Sequence, residues 1–215
     1  MTSALAVDIW SDIACPWCFL GKRRFERAVE QFDRPVAVEY HSFELAPDTP
    51  VDFDGSEIDF LVRHKGLPGS QVEQMLRRMA GLGAEEGLRY DFAALRHTKT
   101  LLAHQAIHHA KARGRQVELV ERLFQAYFEQ GRHVGRPEEL AALGEEAGLD
   151  GAELREALAE GTYEKAVAED IALARDLGIN GVPFYVLDGR YGVSGAQSSD
   201  FFLAALGQAA EDSVD

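Results

Sequence analysis

The stretch Asp8-Ile9-Trp10-Ser11-Asp12-Ile13-Ala14-Cys15-Pro16-Trp17-Cys18-Phe19-Leu20-Gly21-Lys22 decides the fold. Residues 4–13 form an apolar run that reads as a buried strand. Phe19, Leu20, Phe25 and Ala28 then recur at helical spacing among Lys22, Arg23, Arg24 and Glu26. Cys15 and Cys18, the only two cysteines of the chain, sit at this junction. Pro16 has a fixed φ and no N–H to leave unpaired, so it suits the first helical position. Cys15 is then the N-cap, where orphan N–H groups and the helix dipole favour an anion. A thiolate is such an anion, so the helix start is expected to make Cys15 a more acidic thiol. Cys18 lies three residues on, on the same face and within reach of the Cys15 sulfur.

Other readings of the pair fit less well. An inert core role does not explain two thiols at a helix start. A structural zinc site needs about four ligands, and no second cysteine pair exists. A purely structural disulfide across so short a loop removes little unfolded-state entropy. A redox-active dithiol remains. No metal site is expected elsewhere. His104 and His108 share a helical face, with His109 beside them, but no acidic residue or cysteine completes a ligand set locally. Gly81, Gly83 and Gly87 have the wrong spacing for a dinucleotide fingerprint, and no strand precedes them. No cofactor is expected.

The chain has 215 residues, 46% of them hydrophobic, enough for one sizeable core or a core plus an inserted subdomain. Its net charge is −14, from 22 basic against 36 acidic residues. That balance argues against nucleic acid and anionic membranes as partners, since both need concentrated positive surface. Lys22-Arg23-Arg24 and Arg77-Arg78 are read as solvated helix faces. The first seven residues lack a basic leader region, Asp8 breaks the first apolar stretch, and no run approaches a transmembrane span. A reducing cytoplasmic location is the expectation, where a C-x-x-C pair is more often catalytic than structural.

Three segments follow from pattern. Residues 4–45 read strand, helix, strand, the second strand covering 36–45 with Val36, Val38, Tyr40 and Ser42 on one face. Residues 56–178 carry helical signals, with Ser56 and Ser70 as N-caps. Gly66, Gly87, Gly114, Gly131, Gly148, Gly161 and Gly178 mark helix ends. Strand patterns return at 184–187 and 191–193 around an Asp188-Gly189 turn, and a last helix spans 199–210. The fold class is therefore α/β, ordered βαβ, helical insert, ββα. The expected division is a discontinuous domain of residues 1–50 and 179–215 with a helical subdomain at 51–178 inserted into it.

Residues 12–22, with Gly181-Val182-Pro183-Phe184 and Val193-Ser194-Gly195-Ala196-Gln197, resemble the DsbA-like thioredoxin-fold family, and within it the FrnE-type dithiol oxidoreductases. The likeness spans nearly the whole chain, including the helical insertion. It implies a thioredoxin fold in which a cis Val182–Pro183 bond faces the cysteine pair. Val182 and Pro183, with Pro16 and Trp17, are then expected to border the substrate. A cis-proline strand start would leave the Val182 backbone free at a sheet edge for an extended peptide. Cys15 would form a mixed disulfide that Cys18 resolves. The substrate would be a thiol or disulfide, on a peptide or a small molecule; a homodimer is compatible with the sequence. His97 falls in a region that lines the cleft of similar proteins. Two alternatives stay open. Glutathione-dependent isomerases and kappa-class transferases share the architecture, but they generally carry Ser where this chain has Cys15. A non-enzymatic, chaperone-like binding module is the other.

Overall fold

A parallel crossover and an antiparallel hairpin share one sheet. The computed structural model describes residues 4–212. Residues 1–3, part of the leader argument above, and residues 213–215 lie outside the described residues. Strand β1 (Leu5–Ser11) runs into helix α1 (Pro16–Gln31) and returns as β2 (Val36–Ser42). After a series of helices come β3 (Phe184–Leu187), β4 (Tyr191–Ser194) and helix α9 (Ser199–Glu211). The sheet order is β2-β1-β3-β4, with β1 parallel to β2 and antiparallel to β3, and β3 antiparallel to β4.

The chain divides into two compact units, residues 46–166 and the remainder on either side. The sheet unit includes Val167 and everything after it, and so most of helix α8 (Glu164–Asp176). Alternation along β1 explains its two faces. Leu5, Val7 and Ile9 are buried. Ile9 pairs with Tyr185 of β3, whose ring packs on Phe25 of α1 and Phe202 of α9, and those two rings meet edge to face. On the other face Trp10 packs with Ala174 of α8, Ile179, Phe184 and Val186.

Asp188 and Gly189 both have positive φ, 51° and 65°, and are the central residues of a turn closed by Arg190 N–H on the Leu187 carbonyl, within a three-residue hairpin loop between Leu187 and Tyr191. The second strand stops at Ser42, short of the expected 45. Asp12 accounts for the difference: its carboxylate captures the Leu45 N–H at 2.8 Å and bends the chain away from the sheet.

In the helical unit, α2 (Glu57–Lys65) opens with Ser56 as a full capping box with Asp59. Helix α3 (Gly69–Glu85) begins earlier than expected. Its N-cap is Pro68, whose carbonyl accepts from Gln71 and Val72, so Ser70 lies inside the first turn. Four further helices follow: α4 (Leu101–Lys111), α5 (Gln116–Gln130), α6 (Pro137–Glu146) and α7 (Gly151–Ala159). All seven glycines read as helix ends have positive φ, between 61° and 84°.

Candidate redox site

Helix α1 starts where the sequence places it. Cys15 is the N-cap with φ −94° and ψ 109°, and Pro16 is the first helical residue. The Cys15 N–H donates to the Asp12 carbonyl, and the Cys18 N–H to the Cys15 carbonyl, both at 3.0 Å. Asp12 is itself buried: one carboxylate oxygen accepts from Ala14 N–H and the other from Leu45 N–H. A buried carboxylate with donated N–H groups is a rigid anchor, since leaving it unpaired would cost about 1–3 kcal/mol. It fixes the loop that carries the cysteines.

Both cysteines are free thiols, 4% and 2% exposed. They do not share one environment. The Cys15 thiol points at the Val182 carbonyl, with sulfur 3.6 Å from oxygen. Burial pushes the Cys18 thiol well above the ordinary cysteine range, and the neighbouring Cys15 raises it further; the Ser11 hydroxyl and the Asp12 backbone work the other way. Trp17, between them, turns outward and is 45% exposed. It is not a core residue.

The Val182–Pro183 peptide is cis, and it stands next to helix α1. Gly21 shows how closely. A Cβ there would lie 2.6 Å from Tyr185 Oη, 3.0 Å from Pro183 Cγ and 3.3 Å from Ala196 Cβ. Three separated stretches, 15–21, 183–185 and 195–197, thus converge on one glycine. Two hydrogen bonds hold the third: Gly195 N–H to the Pro183 carbonyl at 2.8 Å, and Arg24 Nη1 to the Ala196 carbonyl at 2.9 Å. Strand β3, which Pro183 introduces, lies inside the sheet; the edges are β2 and β4. Val182 precedes this central strand, outside its paired residues, and its carbonyl meets the Cys15 thiol. Lys22 departs from its expected solvated face. It is 2% exposed and pairs with Glu26.

The structure places Cys15 against Val182 and Gly21 against Pro183, with Pro16 starting the helix on which Trp17 and Cys18 follow. His97 belongs to the helical unit. It is buried, stacked on Phe60 with ring centres 3.3 Å apart, with Nδ1 2.8 Å from Glu57 Oε2, beside a cavity lined also by Asp52, His133 and Arg136. His104, His108 and His109 are buried along α4. Sequence reasoning missed a different group. Asp8, Glu39 and His41 bring their ligand atoms within 4.8 Å of one another, and His41 also meets Asp170. Asp170 lies 129 residues from His41, so no local spacing signals it; the alternating charges at 39 and 41 on one strand were the only available sign.

Among the described residues no helix is long and apolar enough to cross a membrane. The sequence matches the DSBA-like thioredoxin domain over residues 6–207. It is 30% identical over 202 residues to the uncharacterized protein YwbO of Bacillus subtilis, covering 93% of this chain and 94% of that one. The structure is similar to that of a probable DsbA oxidoreductase from Streptomyces coelicolor, with a TM-score of 0.90, 40% identity, and coverage of 95% and 89%. It shares its fold with 2-hydroxychromene-2-carboxylate isomerase, at a TM-score of 0.73, 15% identity, and coverage of 98% of each chain. The sheet order, the dithiol at the head of α1 and the match over residues 6–207 agree, and the chain belongs to the DsbA-like thioredoxin domain family.

Proposed function

We propose that this protein is a thiol–disulfide oxidoreductase of the FrnE type, working in a reducing cytoplasm through Cys15 and Cys18. The observation that carries the reading is the asymmetry of the pair. Cys15 occupies the N-cap of α1, with its sulfur 3.6 Å from the Val182 carbonyl oxygen. Cys18 is held as a neutral thiol by burial.

The reaction balances as two exchanges. The Cys15 thiolate attacks one sulfur of a substrate disulfide, forming a mixed disulfide and releasing one substrate thiolate. Cys18 then loses its proton and attacks the Cys15 sulfur, releasing the second substrate thiol. The enzyme ends as the Cys15–Cys18 disulfide and the substrate is reduced by two electrons. Read backwards, the same steps oxidise a substrate dithiol. Trp17, Val182 and Pro183 border the reacting sulfur, and Pro16 sets the helix start. An exposed aromatic ring beside a backbone carbonyl suits a peptide or a small organic disulfide alike.

Cys18→Ser is expected to accumulate a mixed disulfide with an oxidised model peptide, seen as an added mass on the intact protein. Cys15→Ser is expected to form none and to reduce turnover to the uncatalysed rate. Trapping on Cys18 in the Cys15→Ser protein, with none in Cys18→Ser, would reverse the assignment of the two roles.

A further inference from the structure

Asp8 of β1 and Glu39 of β2 stand directly opposite each other in the parallel register. Like charges so placed destabilise a sheet unless a cation lies between them. His41 is two residues further along β2, hence on the same face. Its Nε2 is 2.8 Å from Asp8 Oδ1 and 3.5 Å from Glu39 Oε1. Its Nδ1 is 2.9 Å from Asp170 Oδ1, and Asp170 Oδ2 accepts the Ser42 N–H at 2.7 Å. Trp10 stacks on the imidazole with ring centres 4.5 Å apart, and its Nε1–H donates to the Asp170 carbonyl at 3.1 Å.

The ring is therefore fixed in orientation and in the identity of its outward nitrogen. Metal-ligating histidines almost always hand their other ring N–H to a carboxylate, a backbone carbonyl or a water, which fixes the tautomer and strengthens the ligand. Asp170, itself buried and bound to backbone, is such a carboxylate. The outward nitrogen faces two more carboxylates. Ligand atoms about 2.0–2.2 Å from a tetrahedral ion sit about 3.3–3.6 Å apart. The distances of 2.8 Å and 3.5 Å around Nε2 come within about half an ångström of that spacing. The Asp8 and Glu39 side chains are 35% and 38% exposed, so an ion can enter from solvent and keep water in its remaining positions.

We propose that Asp8, Glu39 and His41 form a binding site for a divalent transition-metal ion, with Asp170 positioning the imidazole. One imidazole with two carboxylates is a nitrogen–oxygen donor set that suits zinc and its neighbours in the first row rather than magnesium or calcium. The competing occupant is a proton shared between Nε2 and Asp8, which would make the cluster a purely structural clasp.

The test uses the full chain carrying Cys15→Ser and Cys18→Ser, so that the dithiol cannot bind the probe. Chelator-treated protein is titrated with zinc chloride at pH 7.5 by calorimetry. One saturable equivalent is expected, weakened at least about tenfold by Glu39→Gln, by Asp8→Asn and by His41→Ala, and about 10–100-fold by Asp170→Asn. Zinc should raise the thermal midpoint of the parent and leave that of Glu39→Gln unmoved. Glu39 is partly exposed, so this variant reads the site even if His41→Ala fails to fold. Magnesium chloride at the same concentrations should give no shift. The proposal is overturned by absence of saturable binding up to 1 mM zinc. It is equally overturned by zinc binding of equal strength in Glu39→Gln and the parent, which would place the ion elsewhere.

Discussion

The dithiol loop of the sheet unit and helix α4 of the helical unit both bury polar side chains, and they treat them differently. Around Cys15, the Asp12 carboxylate, the Val182 carbonyl and the loop N–H groups have partners, most of them backbone. Along α4, eight of eleven residues are buried, and both ring nitrogens of His109 and both amide atoms of Gln105 lack a hydrogen-bond partner. Polar burial alone does not mark a reactive centre. What distinguishes the loop is that its shape is over-determined by groups that cannot be swapped: a proline at the helix start, a glycine at the closest approach, a carboxylate tying two strand ends. Helix α4 buries its polar groups without such a frame. Its burden is one of stability, and it should respond to pH rather than to thiol chemistry.

The largest expected effect that would break this contrast is at Gly21. Gly21→Ala places a methyl 2.6 Å from Tyr185 Oη and 3.0 Å from Pro183 Cγ. Overpacking of a close-fitting core typically costs about 1–3 kcal/mol. Urea unfolding should show that loss, with slower disulfide turnover because Pro183 is displaced along with the ring. Unchanged stability and unchanged turnover would mean that the convergence on Gly21 is not tight.

The next concerns His109, whose imidazole is held below the ordinary histidine range first by burial and then by Arg113. The folded state therefore binds fewer protons than the unfolded chain. Stability is full above the unfolded value, about 6.5, and falls as pH drops from there towards the folded value. The thermal midpoint should thus drop between pH 7.5 and pH 5.5. His109→Leu should lessen the drop. His133, held low by burial and by Arg136, should leave part of it in place. An identical pH slope in wild type and His109→Leu would remove α4 as its source.

The smallest effect runs the other way. Gly81 of α3 has nothing within 4 Å of a built Cβ. Gly81→Ala should stabilise by about 0.5–1 kcal/mol, because alanine loses less backbone entropy in a helix. Equal responses at Gly21 and Gly81 would erase the distinction between a glycine required by contact and one that is merely tolerated.

The order of elements was readable from local pattern, because strand alternation, helical periodicity and glycine ends are all short-range. Cys15, Pro16 and Cys18 fell at the helix start for the same reason. The errors came where a distant group intervened. Asp12 takes Leu45 off the end of β2, and the Pro68 carbonyl starts α3 before Ser70 can cap it. Lys22 looked solvated in a basic triplet, yet it is buried beside Glu26 on its own helix. The Asp8–Glu39–His41 group depends on strand pairing and on Asp170 from α8, and neither is written in any window of sequence.

The contact between the Cys15 thiol and the Val182 carbonyl has a consequence for timing. Only a protonated sulfur can donate to that oxygen; a sulfur in a disulfide has no hydrogen to give. A thiolate has none either, so the sulfur occupies a lone pair of the carbonyl only while it carries its proton. A carbonyl oxygen has two lone pairs, so an incoming N–H meets the protonated thiol as a competing donor and finds both lone pairs open otherwise. The hydrogen on the Cys15 sulfur thus decides how many further donors the Val182 carbonyl can take.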